Sequence, residues 1–318
     1  MNTVGFPIST KENEKRRALI PSDISCLKNK GHIYVEEGYG LVLGYEDSEY
    51  VRAGVKVAVR DEVLSKKIIC DPKIGDATYL KNLLNQTVFG WVHAVQNREI
   101  TDQLVGGGLT AYAWEEMFDQ GRHIFWRNNE IAGEAAILHA YSLFGLFPYN
   151  TRVALIGRGN IARGAMKILT NLGANVTVYN RRTEALLRRE IDQYDVIVNA
   201  VLWDTRRKDH IVYREDLKRM KRNSMIIDIS CDRNGAIETS KPTTFEDPVY
   251  LVDHVLHYAV DHTPSIFYKT VSESLSGQVV RFLDDLIEGA DHNTVLNHSL
   301  IVKEGVILDN KIKEFQNR

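Results

Sequence analysis

The sequence predicts an α/β protein with two domains, each built on a mostly parallel β-sheet. Its 318 residues are enough for two separate hydrophobic cores. Short apolar runs alternate with amphipathic stretches of helical length, which is typical of strand–helix–strand units. One such unit, at residues 152–183, carries a glycine-rich turn between its strand and its helix. We expect a cleft between the two domains to hold the active site.

The first domain is predicted from residues 1–130 together with 268–318. A charged loop, Lys11–Arg17, leads to Pro21, where a helix begins because proline suits the first helical turn. That helix is predicted to continue to about Lys30, before Gly31 ends it. Apolar, β-branched segments predict the strands, and Ser48–Ala53 predicts a short helix. The strands are Thr3–Ile8, His32–Glu36, Val55–Val59, Lys67–Cys70, Val88–His93 and Leu109–Trp114.

The second domain is predicted from residues 131–267. Glu130–Phe144 has apolar residues at helical spacing and connects the two domains. Ser272–Ile287 is a long amphipathic helix outside the nucleotide-binding pattern, so we expect it to pack on the first domain. The predicted strands are Arg152–Ile156, Asn175–Tyr179, Asp195–Val201, Met225–Ile229 and Tyr250–Val252.

The glycine-rich turn has the form of a dinucleotide-binding fingerprint, G-x-G-x-x-A, between a strand and a helix. Gly157 permits the tight turn, and Gly159 lets the backbone approach a pyrophosphate, which the helix N-terminus favours. The alternation of strands and helices predicts that both domains are Rossmann-like. The fingerprint predicts that the second domain binds the cofactor. The alternative is a βαβ unit that binds no nucleotide. The expected cofactor-binding residues of this turn are Gly157, Gly159, Asn160 and Ile161.

The end of the next strand favours NADP(H) over NAD(H). NAD-selective sites place an acid there, and a carboxylate about 4 Å from a 2′-phosphate would repel it by about 4 kcal/mol at an effective dielectric constant of 20. Here the position is Asn180, followed by Arg181, Arg182 and Thr183, whose donors suit a phosphate. The alternative is a solvated basic turn before a helix.

Composition excludes several classes of partner. The net charge of −2 argues against nucleic acid and anionic membrane surfaces. Because no run of eighteen apolar residues and no signal-peptide core is present, we expect a cytoplasmic protein. The histidines at 254, 257 and 262 lack the spacing of a metal site, so no metal is expected. Three cysteines lie far apart and fit reduced thiols: Cys26, Cys70 and Cys231.

Five segments, spread over nearly the whole chain, are similar to motifs of one family. Glu14–Pro21 is similar to its N-R-V-A-L-T-P segment, Glu36–Gly40 to E-x-G-A-G, and Asp47–Gly54 to D-x-x-Y-x-x-A-G. Ile226–Pro248 resembles the stretch that carries the catalytic aspartate, and His257–Val260 matches HY-x-V. The chain thus resembles the alanine dehydrogenase and transhydrogenase family, which includes saccharopine dehydrogenases.

The resemblance implies a substrate site. Arg16 aligns with the arginine that binds the carboxylate of a 2-oxo acid, with Arg17 as the competing candidate. Lys73 is assigned as a substrate-binding and catalytic lysine, although a strict alignment would place Cys70 at that position. His93 aligns with the catalytic histidine, which can donate a proton near neutral pH. The alternative for His93 is a structural histidine.

The resemblance also implies a catalytic aspartate and an oligomer. Asp232 aligns with the aspartate of the family's D-x-G-G, which here reads D-R-N-G. Asp228 is the competing acid and is better explained as structural. The family resemblance favours a homo-oligomer.

Three features resemble the N5-(carboxyethyl)ornithine synthase branch of this family. They are G-W-V-H at residues 90–93, T-P-S-I-F-Y at 263–268 with V-S and L-S at 271–276, and the basic turn at 180–182. This branch implies NADPH-dependent condensation of pyruvate with the side-chain amine of ornithine or lysine. Two alternatives stay open: an alanine or other amino-acid dehydrogenase that uses ammonia, and a catalytically silent NADP-binding module.

Overall fold

The computed structural model describes residues 1–204, 207–231, 234–289 and 292–318. The chain divides into two compact units: residues 1–126 with 268–318, and residues 127–267. From the sequence, the first boundary is predicted after residue 130 and the second after residue 267. Both units are α/β with mostly parallel sheets, so the predicted fold class is confirmed. The cleft between the domains stays a prediction.

The first unit is built on a sheet with the order β16-β15-β6-β5-β4-β1-β2-β3. The strands from β1 to β6 pair in parallel, whereas β15 and β16 are antiparallel to their neighbours. The strands are β1 Val4–Phe6, β2 Ile33–Glu36, β3 Lys56–Ala58, β4 Ile68–Cys70, β5 Thr87–Gly90, β6 Thr110–Ala113, β15 Leu300–Lys303 and β16 Val306–Ile307, with a separate hairpin of β7 Phe118–Asp119 and β8 Arg122–His123.

Helices surround this sheet, and one of them is shorter than predicted. The helix that begins at Pro21 ends at Ile24 and does not continue to Lys30. The carboxylate of Asp284 accepts the backbone N–H groups of Lys28 and Asn29, which a longer helix would have paired internally. The helices of this unit are α1 Pro21–Ile24, α2 Asp47–Ala53, α3 Arg60–Leu64, α4 Arg98–Gly106, α9 Tyr268–Glu288, α10 Thr294–Ser299 and α11 Asn310–Gln316.

The long helix α9 packs on the first unit, as the sequence predicts. Ser272 Oγ accepts the backbone N–H of Arg17 at 2.8 Å, and Ser276 Oγ accepts that of Ile20 at 2.9 Å. Between these residues, Tyr39 Oη accepts the N–H of Ala18. These side chains satisfy the backbone of a buried segment that lies outside any strand. The segment that follows Arg16 is therefore held in place by tertiary contacts.

The second unit has the strand order β10-β9-β11-β12-β14-β13. All neighbours are parallel except β13, which pairs antiparallel with β14. The chain passes to opposite sides of β9, which creates a switch point between β9 and β11, where ligands bind in such sheets. The elements are α5 Trp126–Phe144, β9 Arg152–Ile156, α6 Asn160–Asn171, β10 Asn175–Tyr179, α7 Glu184–Glu190, β11 Val196–Asn199, α8 Arg214–Leu217, β12 Met225–Asp228, β13 Val249–Val252 and β14 Val255–Tyr258.

A close helix–helix contact covers one face of this sheet. A Cβ added to Gly164 of α6 would lie 1.9 Å from the carbonyl oxygen of Glu130 on α5, so only glycine fits there. Ala162, Ala165 and Leu169 of α6 are buried beside it. The hydroxyl of Thr263 donates to the carbonyl of Ala132, so the two ends of this unit are adjacent.

Candidate functional site

The glycine-rich turn lies at the switch point of the second unit. Gly157 has φ +119°, and a Cβ there would lie 2.7 Å from the carbonyl oxygen of Ala200, so this position requires glycine. At Gly159 a Cβ would meet no heavy atom within 4 Å, which leaves open space above the first turn of α6. The backbone and helix dipole at this point fit the pyrophosphate of a dinucleotide. Asn160 and Ile161 form the first turn of α6.

The turn after β10 is ordered by its own side chains. Asn180 Oδ1 accepts the N–H of Arg182 at 2.8 Å, and Thr183 Oγ1 accepts the N–H of Asn180 at 2.9 Å. Arg181 and Arg182 are exposed, and their guanidinium groups contact no described carboxylate within ion-pair distance. Asn180 and Thr183 therefore shape this turn, and the two arginines extend from it.

Asp228 at the end of β12 holds the loop that leads toward Asp232. Its Oδ1 accepts from Asn199 Nδ2 at 2.8 Å and from the backbone N–H groups of Ser230 and Cys231. Burial raises the pKa of Asp228, and these hydrogen bonds oppose that shift. Its contacts agree with the structural role expected of it. Asp232, the predicted catalytic aspartate, lies outside the described residues.

Arg16 is buried in the first unit and is held by a carboxylate and an indole. Its Nε donates to Glu14 Oε1 at 2.8 Å and its Nη2 to Glu14 Oε2 at 2.5 Å, a bidentate ion pair. The guanidinium also lies 5.1 Å from the ring centroid of Trp91. Burial raises the pKa of Glu14, but Arg16 and then Lys73 outweigh burial and hold it below its ordinary value. Glu14 is therefore a carboxylate that fixes the orientation of Arg16.

Arg17, the competing candidate, is committed to the backbone of its own unit. Its Nε donates to the carbonyl of Tyr39 and its Nη1 to the carbonyl of Arg16 at 3.0 Å. Its guanidinium also packs on the Tyr39 ring, 5.3 Å from the centroid. Both arginines are thus held within their own unit, Arg17 by backbone carbonyls and Arg16 by a carboxylate, and the choice of Arg16 for the substrate stays a prediction.

Lys73 extends toward Glu14, the partner of Arg16, whereas Cys70 is enclosed at the end of its strand. Lys73 Nζ lies 3.3 Å from Asp76 Oδ2, and its charge also acts on Glu14. Cys70 is fully buried at the end of β4, where burial raises the pKa of its thiol. Asp71, between them, accepts the N–H of Lys73 at 2.8 Å. The lysine ammonium thus lies beside Asp76 and near Glu14, and the assignment of Lys73 to the substrate stays a prediction.

His93 lies in the loop after β5 rather than in the strand. The predicted strand Val88–His93 ends at Gly90, and His93 has φ +55°. The carboxylate of the half-buried Glu115 accepts the backbone N–H groups of Val92 and His93, which turns the chain out of the sheet. His93 is exposed, and its charge acts on Asp76. Arg16, Lys73 and His93 therefore come together around Glu14 and Asp76.

The C-terminal histidines have partners within the second unit. His257 Nε2 lies 2.8 Å from Thr239 Oγ1, and its Nδ1 lies 3.0 Å from the carbonyl of Val255. His262 pairs with Asp261, and His254 Nε2 lies 3.2 Å from the carbonyl of Met220. Among the described residues no group of three or more His, Cys, Asp or Glu side chains could hold a metal ion.

Sequence reasoning missed the supporting residues of this site. Glu14 and Trp91 stand inside quoted motifs, but only their contact with Arg16 shows what they do. Asp76 and Glu115 have no sequence signal of their own, because each acts through a neighbour brought near by the fold. An acid two residues before the predicted substrate arginine is a sequence signal from which Glu14 could have been predicted.

Fold and site together define an oxidoreductase with a nicotinamide-binding Rossmann domain and a second α/β domain that carries cationic residues and a histidine. None of the described helices is both long and apolar enough to span a bilayer. Family models described as "Alanine dehydrogenase/PNT, N-terminal domain" and "Alanine dehydrogenase/PNT, C-terminal domain" match residues 5–127 and 181–314. Residues 116–239 match "D-isomer specific 2-hydroxyacid dehydrogenase, NAD binding domain". The chain belongs to the alanine dehydrogenase/PNT family.

Individual relatives agree with this assignment. An N(5)-(carboxyethyl)ornithine synthase from Clostridium botulinum is 31% identical over 296 residues, covering 86% of this chain and 91% of that protein. An alanine dehydrogenase from Halomonas elongata is 28% identical over 321 residues, covering 88% and 86%. In fold, the chain is similar to an L-alanine dehydrogenase, with TM-score 0.84, 22% identity and 99% coverage of both chains. A transhydrogenase from Sinorhizobium meliloti has TM-score 0.78 and 20% identity, covering 96% and 100%.

Proposed function

We propose that the protein is an NADPH-dependent enzyme that condenses pyruvate with the side-chain amine of ornithine or lysine and yields an N-(1-carboxyethyl) amino acid. The observation that carries this proposal is the grouping of Arg16, Lys73 and His93 in one unit. A guanidinium and an ammonium suit the carboxylate of a 2-oxo acid, and an imidazole suits proton transfer near neutral pH. The relatives named as N(5)-(carboxyethyl)ornithine synthases support this choice of substrates.

The residues present account for the proton and charge requirements of the reaction. Arg16, held by Glu14, and Lys73 bind the carboxylate of pyruvate and direct its carbonyl toward the amine. After the amine attacks, two protons pass from its nitrogen to the carbonyl oxygen, with His93 as the base and acid that carries them, so the oxygen leaves the carbinolamine as water and an imine remains. When bound, the cofactor would supply the hydride, which together with one proton would convert the imine to a secondary amine. We expect Asp232 to assist His93 in moving protons.

Preference for NADPH rests on the turn after β10. Asn180 stands where an acid would repel a 2′-phosphate, and Arg181 and Arg182 extend from the turn as cations. Replacing Arg182 with Ala should raise the KM for NADPH by about tenfold, the value of one charged hydrogen bond, and should leave that for NADH unchanged. Arg189→Ala, an exposed arginine on α7, is the matched control. An equal effect of Arg182→Ala on both cofactors would argue against a 2′-phosphate contact.

The deciding experiment measures NADPH oxidation with pyruvate while ornithine, lysine or ammonium is added in turn, and repeats each assay with NADH. Oxidation that requires ornithine or lysine and prefers NADPH supports the proposed condensation. Turnover with ammonium alone would instead make the protein an alanine dehydrogenase, as its relative from Halomonas elongata is named. Cofactor binding without oxidation by any of these mixtures would indicate a catalytically silent module.

A further inference from the structure

We propose that Lys11 and Asp76 form the subsite that binds the amine donor, with Asp76 receiving its α-ammonium group and Lys11 its α-carboxylate. This inference rests on the proposed function and extends it to the second substrate. Neither residue belongs to the set assigned to pyruvate. Both lie in the first unit, beside that set.

The two side chains stand at the rim of the pyruvate site. Asp76 Oδ2 lies 3.3 Å from Lys73 Nζ, and Asp76 Oδ1 lies 3.9 Å from Lys11 Nζ. The side chains of Lys11 and Asp76 are 24% and 27% exposed, whereas those of Arg16 and Glu14 are 3% and 0% exposed. A ligand can therefore reach the outer pair directly from solvent, next to the buried inner pair.

The charges of this pair match an amino acid. The α-carbon of a diamino acid carries an ammonium and a carboxylate side by side, so it requires an anion and a cation side by side. A loose, partly exposed ion pair contributes little net stability, so a zwitterion can insert between its members at small cost. Ammonia has no carboxylate, and pyruvate has no ammonium group. The pair is thus suited to a diamino acid.

The reach of the donor fits the position of the subsite. An extended ornithine side chain spans roughly 5 Å from its α-carbon to its terminal nitrogen. Asp76 contacts Lys73 and interacts electrostatically with His93, the residues assigned to the reacting carbonyl. A donor whose α-carbon is held at Asp76 therefore directs its terminal amine toward that carbonyl.

A competing explanation is that Asp76 only sets the ionisation of its neighbours. The groups that act on it are Lys73 in its own loop, Lys11 in the N-terminal loop and His93 after β5. Burial raises the pKa of Asp76, but these three groups together hold it below its ordinary value. A residue with that role alone would shift the pH profile equally for every amine donor. The two explanations thus differ in their dependence on the donor.

The test uses the full-length enzyme, Asp76→Asn and Lys11→Gln, with NADPH oxidation as the readout. Three donors are compared: ornithine, 5-aminopentanoate, which lacks the α-ammonium, and 1,4-diaminobutane, which lacks the α-carboxylate. We expect Asp76→Asn to raise the KM for ornithine by about tenfold or more, because a charged contact is lost. The KM for ornithine should then no longer be lower than the KM for 5-aminopentanoate. We expect Lys11→Gln to abolish the advantage over 1,4-diaminobutane.

The controls separate this inference from the proposed function. The KM for pyruvate should change by less than about threefold in Lys11→Gln, whereas Asp76→Asn, which also loses the contact with Lys73, is judged by the ratio of its KM values for ornithine and 5-aminopentanoate. Glu62→Gln and Lys66→Gln disrupt a surface ion pair on and beside α3 and should change neither KM. If the wild type requires ornithine, but the variants keep the same KM for ornithine and only shift the pH profile, the subsite is wrong and the proposed function stands. A wild type that does not use ornithine or lysine would overturn both proposals.

Discussion

At the scale of single residues, the conformation of His93 depends on the carboxylate of one half-buried residue, Glu115. Glu115 accepts two consecutive N–H groups and holds His93 at positive φ, which is uncommon for a residue other than glycine. We expect Glu115→Gln to lower kcat about 10- to 100-fold, because hydrogen bonds to a charged acceptor contribute about 1.5–3 kcal/mol. Steady-state kinetics with saturating substrates measure this.

The neighbouring Glu116 provides the control for that prediction. It pairs with Lys311 at 2.7 Å on the surface and does not contact the His93 loop through any described bond. Glu116→Gln should therefore keep kcat within about twofold, as surface substitutions usually do. Equal kcat values for the two variants would show that Glu115 does not position His93.

The sequence predicts those residues whose role can be recognised from a short motif alone. Arg16 and His93 stand in short motifs, and Gly157 and Gly159 follow an apolar strand. The partners of these residues were not predicted, because Glu14, Trp91 and Glu115 act only through contacts that the fold creates. Trp91, for instance, belongs to the G-W-V-H segment, yet its packing against Arg16 could not be inferred from spacing.

At the scale of elements, α9 fixes the segment that follows Arg16. Replacing Ser276 with Ala leaves the buried N–H of Ile20 without its acceptor, which costs about 1–3 kcal/mol. We expect the free energy of unfolding in urea to fall by that amount. Ser274→Ala on the same helix is the control, since Ser274 is only half-buried. Equal stability of the two variants would contradict this role.

A buried histidine makes the second unit sensitive to acid. Burial lowers the pKa of His257 from its ordinary value of 6.5, and Thr239 and Val255 pair with its neutral ring. The unfolded chain binds a proton below pH 6.5 and the folded chain does not, so stability is complete above that pH and falls as the pH drops toward the lowered pKa. The slope for one such group is at most about 1.4 kcal/mol per pH unit.

Unfolding in urea at pH 7.5 and 5.5 checks this prediction. The wild type should lose stability between these values, and His257→Gln should lose less. His298→Gln, at an exposed position on α10, should behave as the wild type does. If His257→Gln lost as much stability as the wild type between pH 7.5 and 5.5, folding would not lower the pKa of His257.

Element boundaries were harder to predict than element types. Long elements with strong periodicity, such as α6 and α9, follow from their sequences. The early end of α1 depends on Asp284, which lies more than 250 residues away in the chain. The strands β15 and β16 were not predicted at all, because such short strands carry little pattern and gain their order from pairing, β15 with β6 and β16 with β15.

At the scale of the whole molecule, cofactor binding should protect one unit from hydrogen exchange more than the other. A ligand at one hundred times its Kd adds about 2.7 kcal/mol of stability to the state that binds it. With NADPH we expect slower exchange at residues 153–163 and 179–183, and no change in β15 or β16. NADH at the same concentration should protect residues 179–183 less. Equal protection by both cofactors would contradict a contact with the 2′-phosphate.

The pairing of α9 with the N-terminal segment also has a consequence for synthesis on the ribosome. Arg17 and Ser272 are separated by 255 positions in the chain. At 5–20 residues per second, roughly 13 to 50 s pass between the emergence of the two residues. During that interval a nascent chain can complete its Rossmann unit, while the backbone of Arg17 still lacks the Ser272 hydroxyl that accepts its N–H. A chain released early would thus hold a folded Rossmann unit without the contacts that order the segment after Arg16.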